Sequence, residues 1–418
     1  MRQRRANMMV AAGAGLLWLA PVALAETLTW EDAVREAAAN NPALAAAREA
    51  ARLAEFQHRA SLGPFWPQLS LDAQYTTAGG ADQSILNGPD HALGLSVRQS
   101  LFAGFRNQAG FRRTEAEAEA ARAALLAVKT DLSFDLKSAF TEILFSQEQL
   151  KLTETIAERR KQNTRLVQLR YDAGREHQGS LLRSQATLRR AQFEVAQAGR
   201  ALAVARQRLA RFLGRRGPAE FNVSGDFSVS PPAPPPDFRA LIPQTPAHLE
   251  PAARLRAAEA GVTLTQGRLY PDVAAIGDYS FHGSDWDDRW SAGVVLSMPL
   301  FTGGANVYNV QGAKAAHRQA RETLDSADDQ IRLELEQTYA ALQDSLGNAE
   351  VQKELVNSAQ VRAEIGQNLY TNGLLSFEDW DLIENDLITA QKDHIRALRD
   401  LVVAEAAWER AQGKSVIP

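Results

Sequence analysis

A seven-residue apolar repeat runs over two long stretches of this 418-residue chain. In the first, about 107–171, Leu136, Ile143, Leu150, Ala157, Thr164 and Tyr171 stand seven apart. Adding 199 to each number gives Leu335, Leu342, Ala349, Val356, Ala363 and Tyr370, in a second stretch over about 306–370. Each stretch breaks, at Asp172-Ala173-Gly174 and Thr371-Asn372-Gly373, then resumes over about 180–212 and 377–411. The resumed arms carry Leu181, Leu188, Val195, Leu202 and Leu209 in one case, Leu387, Leu401 and Trp408 in the other. A sustained repeat of seven is a coiled-coil seam, because slightly underwound helices keep one stripe facing a partner. At ~1.5 Å per residue, a long arm of about 65 residues reaches roughly 100 Å. That is longer than an ordinary domain is wide, so the chain is built to span distance.

The repeat divides the chain into two halves that pair with each other. Apolar content is rich in alanine and poor in aromatics, which suits thin helical seams better than a thick core. The formal charge is −4, and about −7 without the first 25 residues, which carry three arginines and no acid. Nothing in that balance calls for nucleic acid. The first stretch reads as an export signal: Arg2, Arg4 and Arg5, an apolar run over 8–19, and Ala23-Leu24-Ala25 as cleavage site. An N-terminal membrane anchor is the alternative, but the apolar run is short for a span. Cysteine is absent, which excludes disulfides, thiolate sites and a lipid anchor on a first mature cysteine.

Thr29 and Asp32 are spaced to cap a helix that stops near Asn40-Asn41-Pro42, and a second helix ends at Gly63-Pro64. The period then falls to two. Leu69, Leu71, Ala73, Tyr75 and Thr77 alternate with Gln68, Ser70, Asp72, Gln74 and Thr76. After turn residues at Gly79-Gly80 and Asn87-Gly88-Pro89, Leu93, Leu95 and Val97 alternate with Gly94, Ser96 and Arg98. The second half has Val273, Ala275, Gly277, Tyr279 and Phe281, a loop at Asp285-Trp286-Asp287-Asp288, and a strand from Trp290 to Met298. These are two hairpins, at about 67–100 and 271–299. A soluble sheet with one wet face alternates in the same way. Strand length and export fit outer-membrane strands, which need about 9–11 residues, with Tyr75, Tyr279, Phe281, Trp286 and Trp290 suited to an aromatic girdle. Four strands cannot close, since the smallest single-chain barrels use about eight, and open edges in lipid cost several kcal/mol per group. If the strands span a membrane, several chains share one barrel, and three copies make twelve strands.

The expected domains are a signal (1–25), a first repeat (26–224, helical hairpin about 107–213) and a linker (225–243). A second repeat (244–413, helical hairpin about 305–412) and a frayed tail (414–418) complete them. Pro231-Pro232-Ala233-Pro234-Pro235-Pro236 reads as a stiff extended spacer, with docking of a proline-reading partner as the alternative.

No catalytic constellation is present. His58, His91, His177, His248, His282, His317 and His394 show no metal-ligand spacing, and no phosphate loop, G-x-S-x-G or H-E-x-x-H occurs. Met298 is the one methionine after the signal, against a methionine path for soft metals. No enzyme, cofactor or metal site is expected.

Signal, two hairpins, two broken heptad helices and a half-repeat together resemble the TolC-like outer-membrane efflux protein family. The strongest motif is Met298-Pro299-Leu300-Phe301-Thr302-Gly303-Gly304, where the fourth strand turns into the long helix. Its first copy, Ser100-Leu101-Phe102-Ala103-Gly104-Phe105, lacks the proline and one glycine. The opening Leu28-Thr29-Trp30-Glu31-Asp32-Ala33, followed by Asn41-Pro42, is also typical. The resemblance implies a mainly α fold with a small β part, closing as a homotrimer: a twelve-stranded barrel in outer-membrane lipid and a hollow α-barrel across the periplasm. It also implies a passive channel of a tripartite efflux pump or type I secretion system, meeting a periplasmic adaptor and an inner-membrane pump. A pore-less periplasmic coiled-coil scaffold is the competing reading, and an enzymatic outer-membrane barrel is a third.

Both breaks share Y-x-x-G, Tyr171 to Gly174 and Tyr370 to Gly373, where glycine takes positive φ. The tyrosines end their seams, either as packing or as a latch. Tyr171, Gly174, Arg175, Gly179, Ser180, Tyr370 and Gly373 are the expected tip residues, with 174–181 the adaptor contact. Asp379 falls where the family carries an aspartate ring that narrows the pore, with Glu378 and Asp381 as further candidates. Such a ring would favour cations and be plugged by them; the alternative is an acidic first turn favoured by the helix dipole. Leu375 stands where the family has a basic latch partner, Leu382 where it has a second aspartate, and Ser180 where it has an aspartate at the first tip, so latch pairs are not carried over.

Overall fold

The computed structural model describes residues 26–76, 90–229, 236–282 and 287–418. The signal, Thr77, Gly79-Gly80, Asn87-Gly88-Pro89, the run from Pro231 to Pro235 and Asp285-Trp286 lie outside the described residues.

A short strand β1 (Glu26–Leu28) leads into α1 (Trp30–Asn40), whose first turn is closed by the Thr29 side chain accepting from the Asp32 amide at 3.3 Å. Asn41 ends α1 and caps α2 (Pro42–Ala60): its side chain accepts from the Leu44 amide at 3.0 Å and donates to the Phe212 carbonyl at 2.9 Å. Proline at the first position of α2 costs nothing, because that N–H has no helical partner.

Strands β2 (Gln68–Thr76) and β3 (Asp90–Ala103) form the first hairpin. From β3 the chain enters α3 (Arg106–Asp172), returns through α4 (Gln178–Leu213) and places β4 (Phe221–Val223) parallel to β1. A one-turn α5 (Phe238–Leu241) and α6 (Pro246–Gln266) precede β5 (Asp272–His282) and β6 (Asp287–Ser297). The last elements are α7 (Ala305–Thr371) and α8 (Phe377–Ala411). Helices α3 and α7 have 67 residues each, so each spans roughly 100 Å. Among the described residues no helix is long and apolar enough to cross a membrane, which bears on helices alone.

The hairpins join through β3 and β5 into one antiparallel sheet, ordered β2-β3-β5-β6. Register sorts the side chains into two faces. Leu71, Leu95, Tyr279 and Trp290 stand in one row, and Ser70, Ser96, Asp278 and Ser291 in the next, on the opposite face. The polar row is bonded across strands, Ser70 to Ser96 at 2.6 Å and Ser291 to Asp278 at 3.2 Å. Strand β3 runs three residues past its expected end, through a bulge at Leu101 between Ser100 and Phe102. A bulge turns the strand toward the helix that follows.

Strand becomes helix through left-handed residues: Gly104 (φ +58°) and Phe105 (φ +63°) in one copy, Gly303 (φ +61°) and Gly304 (φ +84°) in the other. Phe105 takes the conformation of the missing glycine, at a cost of about 1–2 kcal/mol, and rests edge-on against Phe102 and Tyr270. Following Pro299, Leu300 and Phe301 are 90% and 89% exposed, against 58% and 36% for Leu101 and Phe102.

The largest core lies midway, where α3 and α4 meet α1, β1 and β4 around Leu136, Ile143, Leu209, Leu213 and Phe221. Ile417 belongs to it. The tail is therefore not frayed: the Val416 amide donates to Ser133 Oγ at 3.1 Å, and Ser415 meets the same hydroxyl at 3.0 Å. The expected linker is packed at both described ends, Gly225 near Leu144 and Phe140, and Phe238 edge-on to Tyr339 and Trp408.

The α7 seam keeps its register, with Leu335, Leu342, Ala349, Ala363 and Tyr370 all buried. In α3 Leu136 and Ile143 of the expected seam are fully buried, but toward the tip the buried row passes to Ser146, Thr153, Arg160 and Val167, and Tyr171 is exposed. Tyr171 thus does not close a seam. The row that does was hidden because three of its members are polar.

Candidate gating site at the helical tips

At both tips the helix ends on a left-handed glycine, Gly174 (φ +70°) and Gly373 (φ +77°). The amide beyond each glycine bonds back five residues, Arg175 to Arg170 at 2.8 Å and Leu374 to Leu369 at 2.9 Å. This closure satisfies carbonyls that a helix end leaves free. The returning helices are capped differently. Ser376 Oγ accepts from the Asp379 amide at 3.1 Å and donates to its carboxylate at 2.8 Å. At the first tip His177 is the cap, its Nδ1 accepting from the Ser180 amide at 3.3 Å and its Nε2 lying 3.0 Å from Ser180 Oγ. The cap starts α4 at Gln178, two residues before the expected Ser180. Gly179 sits against it, since a methyl there would lie 3.0 Å from His177 Nδ1.

Tyr370 joins the two tips. Its ring is fully buried, stacked on Trp380 at 4.2 Å between centroids with planes 10° apart. The Arg170 guanidinium lies 4.6 Å over the ring and donates to the Tyr370 carbonyl at 2.7 Å. The hydroxyl donates to Glu176 at 3.0 Å. Burial, and then the bond to Glu176, push the phenol well above its ordinary pKa, so it stays a donor. The first tip and α7 are thereby tied by a cation–π contact and two hydrogen bonds, while the stack joins α7 to α8.

The acidic cluster splits by helical phase. Phe377, Trp380, Asp381, Glu384 and Leu387 are buried, while Glu378, Asp379 and Leu382 stand exposed on another face. Asp381, expected beside Asp379 at a constriction, is only 3% exposed, bonded to Arg160 at 3.1 Å and Arg183 at 2.9 Å. Glu384, 1% exposed, receives Arg159 through two bonds of 2.7 and 2.6 Å and Asn163 at 3.1 Å. Asp381 is therefore no free carboxylate but part of a buried ionic clamp between α8 and the α3–α4 hairpin. Arg159, Arg160, Arg183 and Glu384 were missed, because charges on a long helix ordinarily mark a wet face. Glu378 has His177 at 3.6 Å, and among the described residues Asp379 has only its own cap as partner. Among the described residues no group of histidines and acids is placed to hold a metal ion.

Strands that sort into an apolar and a polar face, feeding helices of this length, occur together in a known architecture. The outer membrane efflux protein family model matches residues 33–215 and 242–414. The chain belongs to that family. Outer membrane efflux protein BepC of Brucella suis is 21% identical over 415 residues, covering 96% of this chain and 88% of its own. Among solved structures, CusC, a transmembrane channel, superposes with a TM-score of 0.84 at 18% identity, covering 94% of this chain and 96% of its own. VceC from Vibrio cholerae gives 0.80 at 19%, covering 92% and 96%. The chain is thus an efflux channel of the outer membrane with the TolC-like fold, and the pore-less scaffold reading is set aside.

Proposed function

We propose that three copies of this outer membrane efflux protein close one twelve-stranded barrel, and that their helices continue it as a hollow α-barrel across the periplasm. The observation that carries this is the sheet: four strands, an apolar and a polar face, and two open edges, β2 and β6. Backbone groups on open edges cannot stay unpaired in lipid, so each edge takes another copy. Each chain then consists of two structural repeats, 26–224 and 244–413, exported by a signal cleaved after Ala25 and held by the barrel without a lipid anchor. The channel is passive. It serves an inner-membrane pump through a periplasmic adaptor, in efflux or type I secretion, with Gly174, Arg175, Gly179 and Ser180 at the adaptor contact. The tips are the closable end. Tyr370 with Glu176 and Arg170 latches one hairpin to the other, and Asp379, with Glu378 beside it, lines the narrowest ring.

Detergent-extracted protein is expected to have three times the chain mass and to conduct in planar bilayers. Asp379→Ala should weaken block by divalent cations. Unchanged block removes Asp379 from the constriction, and recovery as a soluble monomer removes the channel assembly.

A further inference from the structure

We propose that the junction of the second half, at Gly303, docks against Gly63 of the partner subunit, glycine to glycine, and that the pattern for this contact lies inside the chain. The inference rests on the trimeric reading above and fixes its register.

The inner pattern is the meeting of Gly104 with Gly267. A methyl on Gly104 would collide with the Gly267 carbonyl oxygen and lie 2.8 Å from Tyr270 Cβ. A methyl on Gly267 would run into Arg106 and the Gly104 carbonyl. Gly267 has no positive φ, so it is glycine for close approach alone.

The second half repeats the first in register. Gln68 pairs with Arg98, and Asp272 with Ser297. A shift of 204 therefore carries β2 onto β5 while a shift of 199 carries β3 onto β6. The first shift also carries the helix cap Asn41 onto the cap Thr245, each before a proline, and Gly63 onto Gly267. The second carries Gly104 onto Gly303. Yet nothing lies within 4 Å of a Cβ at Gly63 or Gly303. Gly63 has no positive φ either, so nothing inside the chain demands a glycine there. A neighbour would.

The surrounding side chains agree. Ala109 and Ala260 are buried where α3 meets α6, but their counterparts Tyr308 and Phe56 are 73% and 62% exposed. Leu300 and Phe301 are bare where Leu101 and Phe102 are partly covered. Strand β6 therefore pairs with β2 of the next copy as β3 pairs with β5. Val97 opposite Gly277 becomes Leu296 opposite Ala73 of the partner subunit, and Arg98 opposite Ile276 becomes Ser297 opposite Asp72 of the partner subunit. Two ion pairs are not copied. Arg106 with Asp272 has Ala305 and Gln68 as counterparts, and Arg256 with Glu119 has Arg52 and Arg318, so backbone pairing and apolar cover hold the seam between chains.

The chain has no cysteine, so introduced pairs are the only thiols. Ala73→Cys with Leu296→Cys and Asp72→Cys with Ser297→Cys test directly opposed positions, Cα atoms about 4.5–5.5 Å apart, one pair of the two being non-hydrogen-bonded. Leu71→Cys with Leu296→Cys is displaced by two residues, at ~7–8 Å, beyond ordinary disulfide reach. At least one opposed pair should give a reducible covalent trimer in the outer membrane, and the displaced pair should not. Gly63→Val should keep its helical circular dichroism and lose at least tenfold in trimer fraction in detergent. Cross-linking through the displaced pair alone, or a Gly63→Val trimer at wild-type yield, overturns the contact and leaves the trimer standing. A monomeric wild-type protein overturns both.

Discussion

Tyr370 and Tyr171 each stand three residues before a tip glycine, yet only Tyr370 is buried. The difference is made by Trp380, which gives Tyr370 a face to stack on, and by Glu176, which accepts the hydrogen bond from its hydroxyl. Tyr370→Phe keeps the stack and removes the bond, which is worth about 1.5–3 kcal/mol when the partner is charged. The variant should show faster amide exchange at residues 370–380 and a higher single-channel conductance. Because the folded phenol binds its proton more tightly than the unfolded one, its contribution is complete below about pH 10, the unfolded value. It is lost as pH rises through the folded value. Amide protection at the tips, taken relative to unstructured peptide at the same pH, should therefore be flat from neutral pH to about 9 and fall above about 10, a fall that Tyr370→Phe abolishes.

Helix α8 shows how much one element can carry on two faces. Asp379 and Asp381 differ by two positions, or about 200° around a helix, which separates an exposed carboxylate from one held by two arginines. Removing one side of a buried pair strands the other and costs about 3–5 kcal/mol. Glu384→Ala should therefore lower the stability of the tip by that order, read as the denaturant midpoint of local exchange in α8. Arg159→Ala together with Glu384→Ala should cost less than the two single changes summed. At this scale the sequence was most legible where periodicity was clean. Alternation over Leu69 to Tyr75 and heptads over Leu335 to Tyr370 predicted a β-hairpin and a long helix in place. It was least legible where burial is polar: Ser146, Thr153 and Arg160 interrupt the apolar pattern of α3 while lying on its buried side. The three-residue strands β1 and β4 are too short for any period, and only the fold brings them together.

The whole molecule is held by a central core that gathers both ends of the described chain, from Leu28 to Ile417. Ile417 lies in no helix or strand, so nothing in its local sequence marked it as buried. Ile417→Ala should cost about 2 kcal/mol or more, as other large-to-small core changes do, measurable as a lowered melting temperature with an unchanged circular dichroism spectrum before melting. The two edges of the sheet have a consequence in genetics. If copies join through β2 and β6 as proposed, the joint is head to tail because the two edges differ, and a chain damaged at one edge still offers a sound one. Such a chain would enter a ring and stop it from closing. If defective and sound copies are made in equal amounts and mix freely, about one ring in eight contains only sound ones when each ring takes three. Lesions at either edge should thus be dominant over the wild-type allele, whereas lesions that prevent the chain from folding at all should be recessive.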